Sequence, residues 1–134
     1  MQLRTAMQPR LFELTEAQQL VRDTARNYAQ KTLAPIAGQL DREGRFPQEQ
    51  LAELAELGMM GVNIAEEYGG AQAGAVAYAL AMMEIAQGCA STAVTMAVNN
   101  LVAETIALHG SEAQKKRYLP EITSGRFEIG RAHV

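Results

Sequence analysis

Apolar residues recur at helical spacing along most of the chain, and the first helical stretch carries a clear start signal. It opens at a capping box, Thr15-Glu16-Ala17-Gln18, in which the Thr hydroxyl and the Gln amide each satisfy a backbone donor that has no helical partner. Its apolar stripe runs from Leu20 to Ile36, with charged residues off the stripe. Pro35 is expected to end or kink this helix near Ala34, because proline lacks the amide that a helix interior uses.

The rest of the chain predicts four more helices joined by short connections. A charged loop is predicted over residues 41–46, followed by a helix that starts at Pro47 and is capped by Gly58. An apolar turn or short helix over 59–64 and a glycine-rich loop over 66–74 then lead to a helix over 75–87. The next helix is capped by Ser91 or Thr92 and ends at Leu108, and the last helix opens at a second capping box over 111–114. Pro120 is expected to interrupt the last helix. No stretch alternates as a strand does, so the pattern predicts an all-α fold, an antiparallel helical bundle.

The helix over 75–87 is apolar except for Glu84, which predicts a helix buried on all sides. Burying an unpaired carboxylate is costly, so Glu84 needs a partner. The favoured interpretation is an ion pair or hydrogen bond to a neighbouring helix, and the alternative is a direct contact with substrate.

The length of 134 residues is that of one domain, and the pattern divides it into three parts. Residues 1–10 lack periodicity and are interpreted as a loose arm. Residues 11–127 form the helical domain. Residues 128–134 have no helix pattern and are interpreted as a tail that is not native to the protein.

Composition excludes several classes of protein. A net charge of -3, no tryptophan and no basic stripe argue against nucleic-acid binding. The most apolar stretch, 93–108, is shorter than the roughly 20 residues of a membrane span and contains Asn99, Asn100 and Glu104. Cys89 is the only cysteine, so no internal disulfide forms, and a cytoplasmic location is expected.

Known catalytic and metal-binding motifs are absent from the sequence. There is no GxGxxG, Walker A or HExxH motif and no cysteine pair, so no metal site is expected. His109 lies at a helix end beside Gly110, where a cation suits the helix dipole, and is interpreted as structural. Cys89 has no evident base or cation nearby in sequence and is interpreted as a small buried side chain.

Three segments carry a resemblance to a known family. They are AEEYGG (65–70), MEIAQGCASTAV (83–94) and HGSEAQKKRYLPEITSG (109–125), preceded by LTEAQQLVRDTARNYAQ (14–30). Together these segments closely resemble the amino-terminal domain of acyl-CoA dehydrogenases, over about residues 11–127. The chain departs from the family at Ala65, where proline is common, and after Phe127, where the family continues into a flavin-contacting strand region.

The resemblance implies an FAD enzyme of fatty acid β-oxidation that converts acyl-CoA to trans-2-enoyl-CoA. In the family a carboxylate base removes the α-proton, hydride passes to the flavin, and an electron-transferring flavoprotein accepts the electrons. Most members are homotetramers. Because the family's base comes from other parts of the protein, no catalytic residue is assigned in this chain, and the chain alone is expected to be inactive.

The resemblance also implies a set of substrate-binding residues. In the family, the helix that matches 93–108 lies along the acyl chain. The residues carried over to its cavity face are Ala93, Val94, Ala97 and Leu101, with Asn100 nearby. Their spacing places them on one side of a helix, and the small residues at 93 and 97 leave room for an acyl chain. The alternative is plain core packing.

Two other functions remain open at the level of the sequence. A flavin oxidase or monooxygenase on the same scaffold shares this domain but uses oxygen. A non-catalytic helical interaction module predicts a self-sufficient fold without a large exposed apolar patch, whereas a domain cut from an enzyme predicts exposed apolar faces.

Overall fold

A computed structural model describes residues 13–127, so the predicted arm at 1–10 and the predicted tail at 128–134 lie outside the described residues. The described elements are α1 (Glu16–Tyr28), a π-helical turn (Ala29–Leu33), α2 (Ala34–Glu43), α3 (Gln48–Glu56), 3-10 turns at Met59–Gly61 and Glu66–Tyr68, α4 (Gly74–Gly88), α5 (Ala90–His109) and α6 (Glu112–Thr123). No strand occurs within residues 13–127, and the predicted all-α fold is confirmed.

Helix α1 does not end at Pro35 but continues through the π-helical turn into α2, so, of the predicted end or kink near Ala34, the end is wrong. The Ala34 amide donates to the Ala29 carbonyl, one residue further back than in an α-helix. This wider turn accommodates the proline that follows, which lacks an amide and would crowd an ordinary turn. The predicted loop over 41–46 is correspondingly too long, because α2 reaches Glu43 and ends at Gly44 in the left-handed conformation.

Helix α6 also runs through a proline, so the predicted interruption at Pro120 is wrong. Pro120 lies inside a helix that continues to Thr123. The carbonyl that its missing amide would have met belongs to Lys116, an exposed residue, where water can take the place of the amide. Gly125, with φ +75°, follows the end of the helix.

The predicted start signals are confirmed at two helices, lie one residue early at α3, where Pro47 precedes the first helical residue Gln48, and are wrong at α5. Thr15 and Ser111 both form complete capping boxes, with Gln18 and Gln114 as their partners. Helix α5 starts from an extended Cys89 and lacks a side-chain cap, so the predicted caps at Ser91 and Thr92 are wrong. Both hydroxyls instead contact the Cys89 thiol.

The core consists of two clusters that share α5. The larger cluster joins α1, α3, α4 and the first half of α5, and its largest buried side chains are Leu33, Leu51, Leu54, Met60, Ile85 and Met96. The smaller cluster joins α6 to the second half of α5 through Ile64, Ala103, Leu119 and Ile122. Helix α5 therefore packs into the core along one side over its whole length, and the described residues leave its opposite side exposed.

Helix α4 is buried on one side only, so the prediction that it is buried on all sides is wrong. Ala77, Ala81 and Ile85 are fully buried, but Val76 is 50% exposed and Met83 is 62% exposed. The helix packs against α1 and α5, and no element within residues 13–127 covers its outer side. The apolar composition of a helix does not show which of its sides are covered by other elements within residues 13–127.

Candidate functional site

The five predicted substrate-binding residues lie on α5, and the structure divides them between its buried and exposed sides. Val94 is 61% exposed and Leu101 is 64% exposed. Ala97 is half-buried between them, and Ala93 and Asn100 are buried. At 3.6 residues per turn the five positions cover a sector about 120° wide, so one edge faces the core and the other faces outward. We call Val94, Ala97 and Leu101 the outward stripe.

Asn100 does not project into open space but holds the loop that precedes α4. Its Oδ1 accepts a hydrogen bond from the Val62 amide at 2.9 Å, and its Nδ2 donates to the Met59 carbonyl at 2.8 Å. The same Nδ2 is 2.9 Å from the carbonyl of Met96 in its own helix. Asn100 therefore fixes the outward stripe relative to this loop, a role that spacing along the helix did not reveal.

The AEEYGG segment completes this loop by close backbone packing. The amides of Ala71, Gln72 and Ala73 donate to the carbonyls of Gly61, Ile64 and Val62, which folds residues 61–73 back on themselves. A Cβ at Gly70 would lie 2.0 Å from the Ile64 carbonyl oxygen, and one at Gly69 would lie 2.8 Å from Thr123 Oγ1. These glycines therefore allow the loop to pack closely on itself and on α6.

Glu84 has the partner that its burial requires. Arg26 of α1 donates from Nη2 to Glu84 Oε1 at 2.7 Å and from Nε to Oε2 at 3.1 Å. This two-point contact raises the pKa of Arg26, chiefly through the hydrogen bond and then through the charge of Glu84. The predicted ion pair is confirmed, and it joins α1 to α4.

The Cys89 thiol is buried at the junction of α4 and α5, as expected of a structural cysteine. Thr92 Oγ1 donates to the sulfur at 3.2 Å, and Ser91 Oγ lies 3.3 Å from it. Burial raises the pKa of the thiol, but hydrogen bonds from Ser91 and Thr92 outweigh burial, and the pKa lies below its ordinary value. This lowering of the pKa was not predicted from the sequence, because it comes from hydroxyl and backbone hydrogen bonds and not from a charged residue.

A second polar cluster joins the same loop to α5 one turn beyond Asn100. Asn63 Nδ2 donates to Glu104 Oε1 at 2.8 Å, and Asn63 Oδ1 is buried without a hydrogen-bond partner in the described part of the chain. Burial, and then the charge of Glu104, raises the pKa of Tyr78. Asn63 and Glu104 thus attach the loop to α5 at a second point.

The outward stripe is an open face and not a cavity within this domain. One surface cleft lies at the corner between α2 and α3, lined by Arg45 and Phe46, and another lies at the end of α5, lined by Ile106 and His109. The stripe residues line neither of these two clefts. Within residues 13–127 no three histidine, cysteine or carboxylate side chains are grouped to hold a metal ion. None of the described helices is both long and apolar enough to cross a membrane.

Comparison with known proteins identifies the family. The family model described as acyl-CoA dehydrogenase, N-terminal domain, matches residues 15–126. The short-chain specific acyl-CoA dehydrogenase of Sus scrofa mitochondria is 46% identical over 114 residues, which cover 84% of this chain and 28% of that protein. The short-chain specific acyl-CoA dehydrogenase of Clostridium acetobutylicum is 37% identical, over 85% of this chain and 30% of its own length.

A solved structure agrees with the sequence matches. The butyryl-CoA dehydrogenase of Megasphaera elsdenii superposes with a TM-score of 0.79 at 33% identity, covering 87% of this chain and 32% of that one. The chain thus spans about 30% of the length of these relatives, in the region that the family model assigns to their N-terminal domain. The chain belongs to the acyl-CoA dehydrogenase family and has the all-α fold of its N-terminal domain.

Proposed function

We propose that the outward stripe of α5 forms one wall of the acyl-chain pocket in an FAD-dependent acyl-CoA dehydrogenase. The proposed reaction oxidises an acyl-CoA thioester to the trans-2-enoyl thioester. One observation carries the proposal: Val94 and Leu101, two large apolar side chains on helix α5, are 61% and 64% exposed, with the small Ala97 between them. Such a face suits a flexible alkyl chain that has to be kept away from water.

The domain shapes the proposed pocket and helps to exclude water from it. Val94 and Leu101 contact the alkyl chain, and Ala97 leaves it room. Ala93 and Asn100, the buried members of the predicted set, support the wall from behind by packing into the core and holding the loop. No proton transfer is assigned to these residues, because none of the five can accept or release a proton near neutral pH.

No flavin contact is assigned to the described residues. The close packing of the AEEYGG glycines against Ile64 and Thr123 accounts for these glycines within the folded loop, and the sequence contains no GxGxxG motif. Flavin chemistry and the catalytic base are therefore assigned to the parts of a longer protein that this chain does not match in its relatives. We accordingly expect the 134-residue chain to bind no FAD and to oxidise no acyl-CoA, which absorbance near 450 nm and an acyl-CoA assay will check.

We also propose the remaining family properties for that longer protein. They are transfer of electrons to an electron-transferring flavoprotein, assembly into a homotetramer and a role in fatty acid β-oxidation. A cytoplasmic location, expected from the single cysteine and not from the family, stays a proposal. A dehydrogenase is favoured over a flavin oxidase or monooxygenase because the compared relatives are named as dehydrogenases. The exposed apolar faces of α4 and α5 are opposite to what a self-sufficient interaction module predicts.

A chimeric enzyme tests the proposed wall. Residues 13–127 replace the matching segment of the porcine short-chain enzyme, and flavin reduction by butyryl-CoA is followed without oxygen. The chimera is expected to bind FAD and to reduce it with butyryl-CoA. Leu101→Trp should lower kcat/KM for butyryl-CoA by about tenfold or more, since filling a tight pocket costs roughly 1–3 kcal/mol.

The matched control is Leu20→Trp, which enlarges an equally exposed leucine on α1. This variant should keep the kcat/KM of the chimera and its flavin content. If both tryptophan variants turn over butyryl-CoA as fast as the parent chimera, the outward stripe does not contact the acyl chain. A chimera that binds flavin but is not reduced by any acyl-CoA would contradict the proposal as a whole.

A further inference from the structure

We draw no further inference here: the strongest candidate, the polar cluster of Asn63, Glu104 and Tyr78 between the loop before α4 and the middle of α5, carries no ligand site, because its one buried acceptor without a partner in the described part of the chain, Asn63 Oδ1, is sealed from the surface by the protein's own atoms.

Discussion

Glu84 and Asn100 are buried polar side chains in largely apolar helices, and each is bound by groups far away in the sequence. Glu84 pairs with Arg26, 58 residues earlier, and Asn100 contacts Met59 and Val62, about 40 residues earlier. A lone carboxylate on an apolar helix predicts that a partner exists, because burying a charge alone is costly. It does not identify the partner, since any of several basic residues could reach it.

Replacing Glu84 tests the ion pair. Glu84→Gln keeps the shape of the side chain but removes its charge, so one strong two-point contact with Arg26 is lost. The melting temperature should fall by several degrees, as measured by circular dichroism. The control Asp23→Asn removes an exposed carboxylate that pairs with Arg22 and should leave the melting temperature nearly unchanged. Equal melting temperatures for both variants would show that the pair is not stabilising.

Replacing Asn100 tests the attachment of the loop. Asn100→Leu has a similar volume but leaves the Val62 amide and the Met59 carbonyl without their partner, at a cost of about 1–3 kcal/mol for each buried group. The free energy of unfolding in urea should fall accordingly, and the Val62 amide should exchange its hydrogen faster. Thr105→Ala, which removes an exposed hydroxyl bonded to Leu101, should change stability by less than about 0.5 kcal/mol. Unchanged exchange at Val62 would contradict the role of Asn100.

Pro35 and Pro120 show where the rule that proline breaks a helix fails in this chain. The sequence predicts that Pro35 ends or kinks a helix and that Pro120 interrupts one, but Pro35 lies in the first turn of α2 and Pro120 lies inside α6. A π-helical turn accommodates the first, and an exposed turn accommodates the second. The capping boxes at Thr15 and Ser111 were predicted correctly because each depends only on residues three apart. A complete capping box can thus be predicted from neighbouring residues, whereas a break depends on whether the surroundings can take up the lost hydrogen bond.

Glycine substitutions test the folded loop of residues 61–73. In Gly70→Ala the new methyl group would overlap the Ile64 backbone carbonyl, which cannot move without disturbing the loop, so we expect a loss of about 3 kcal/mol or more in urea unfolding. The control Gly44→Ala places a methyl group in open space at φ +59° and should cost about 1–2 kcal/mol through backbone strain alone. A smaller loss at Gly70 than at Gly44 would show that the loop is loosely packed.

The whole domain exposes apolar side chains on the outer sides of both α4 and α5. Val76 and Met83 on α4, and Val94, Leu101 and Leu108 on α5, are each at least 50% exposed. Exposed patches of this kind mark surfaces that contact another body. This distribution favours a domain that packs against the rest of a larger enzyme, in agreement with the 28–32% of the relatives' length that the chain spans.

Binding of a hydrophobic dye tests this interpretation. The isolated chain should increase the fluorescence of a dye such as ANS, and the double variant Val94→Glu/Leu101→Glu should reduce that increase by about half, because it removes the outward stripe. The matched control, Gln87→Glu/Thr105→Glu, adds the same charge at exposed polar positions and should keep the signal. An isolated chain that binds no dye would favour the self-sufficient interaction module.

The sequence by itself determined the helical periodicity, both capping boxes, the left-handed residue at Gly58, and the segments that identify the family. These features rest on hydrogen bonds and spacings within a few residues, so they can be read from neighbouring positions. Only the tertiary structure decided which side of α4 is buried, that Arg26 pairs with Glu84, and that Asn100 faces the loop while Val94 and Leu101 face outward. Burial and ion pairing depend on groups that are distant along the chain. The same periodic pattern of apolar residues is therefore compatible with several ways of packing the helices.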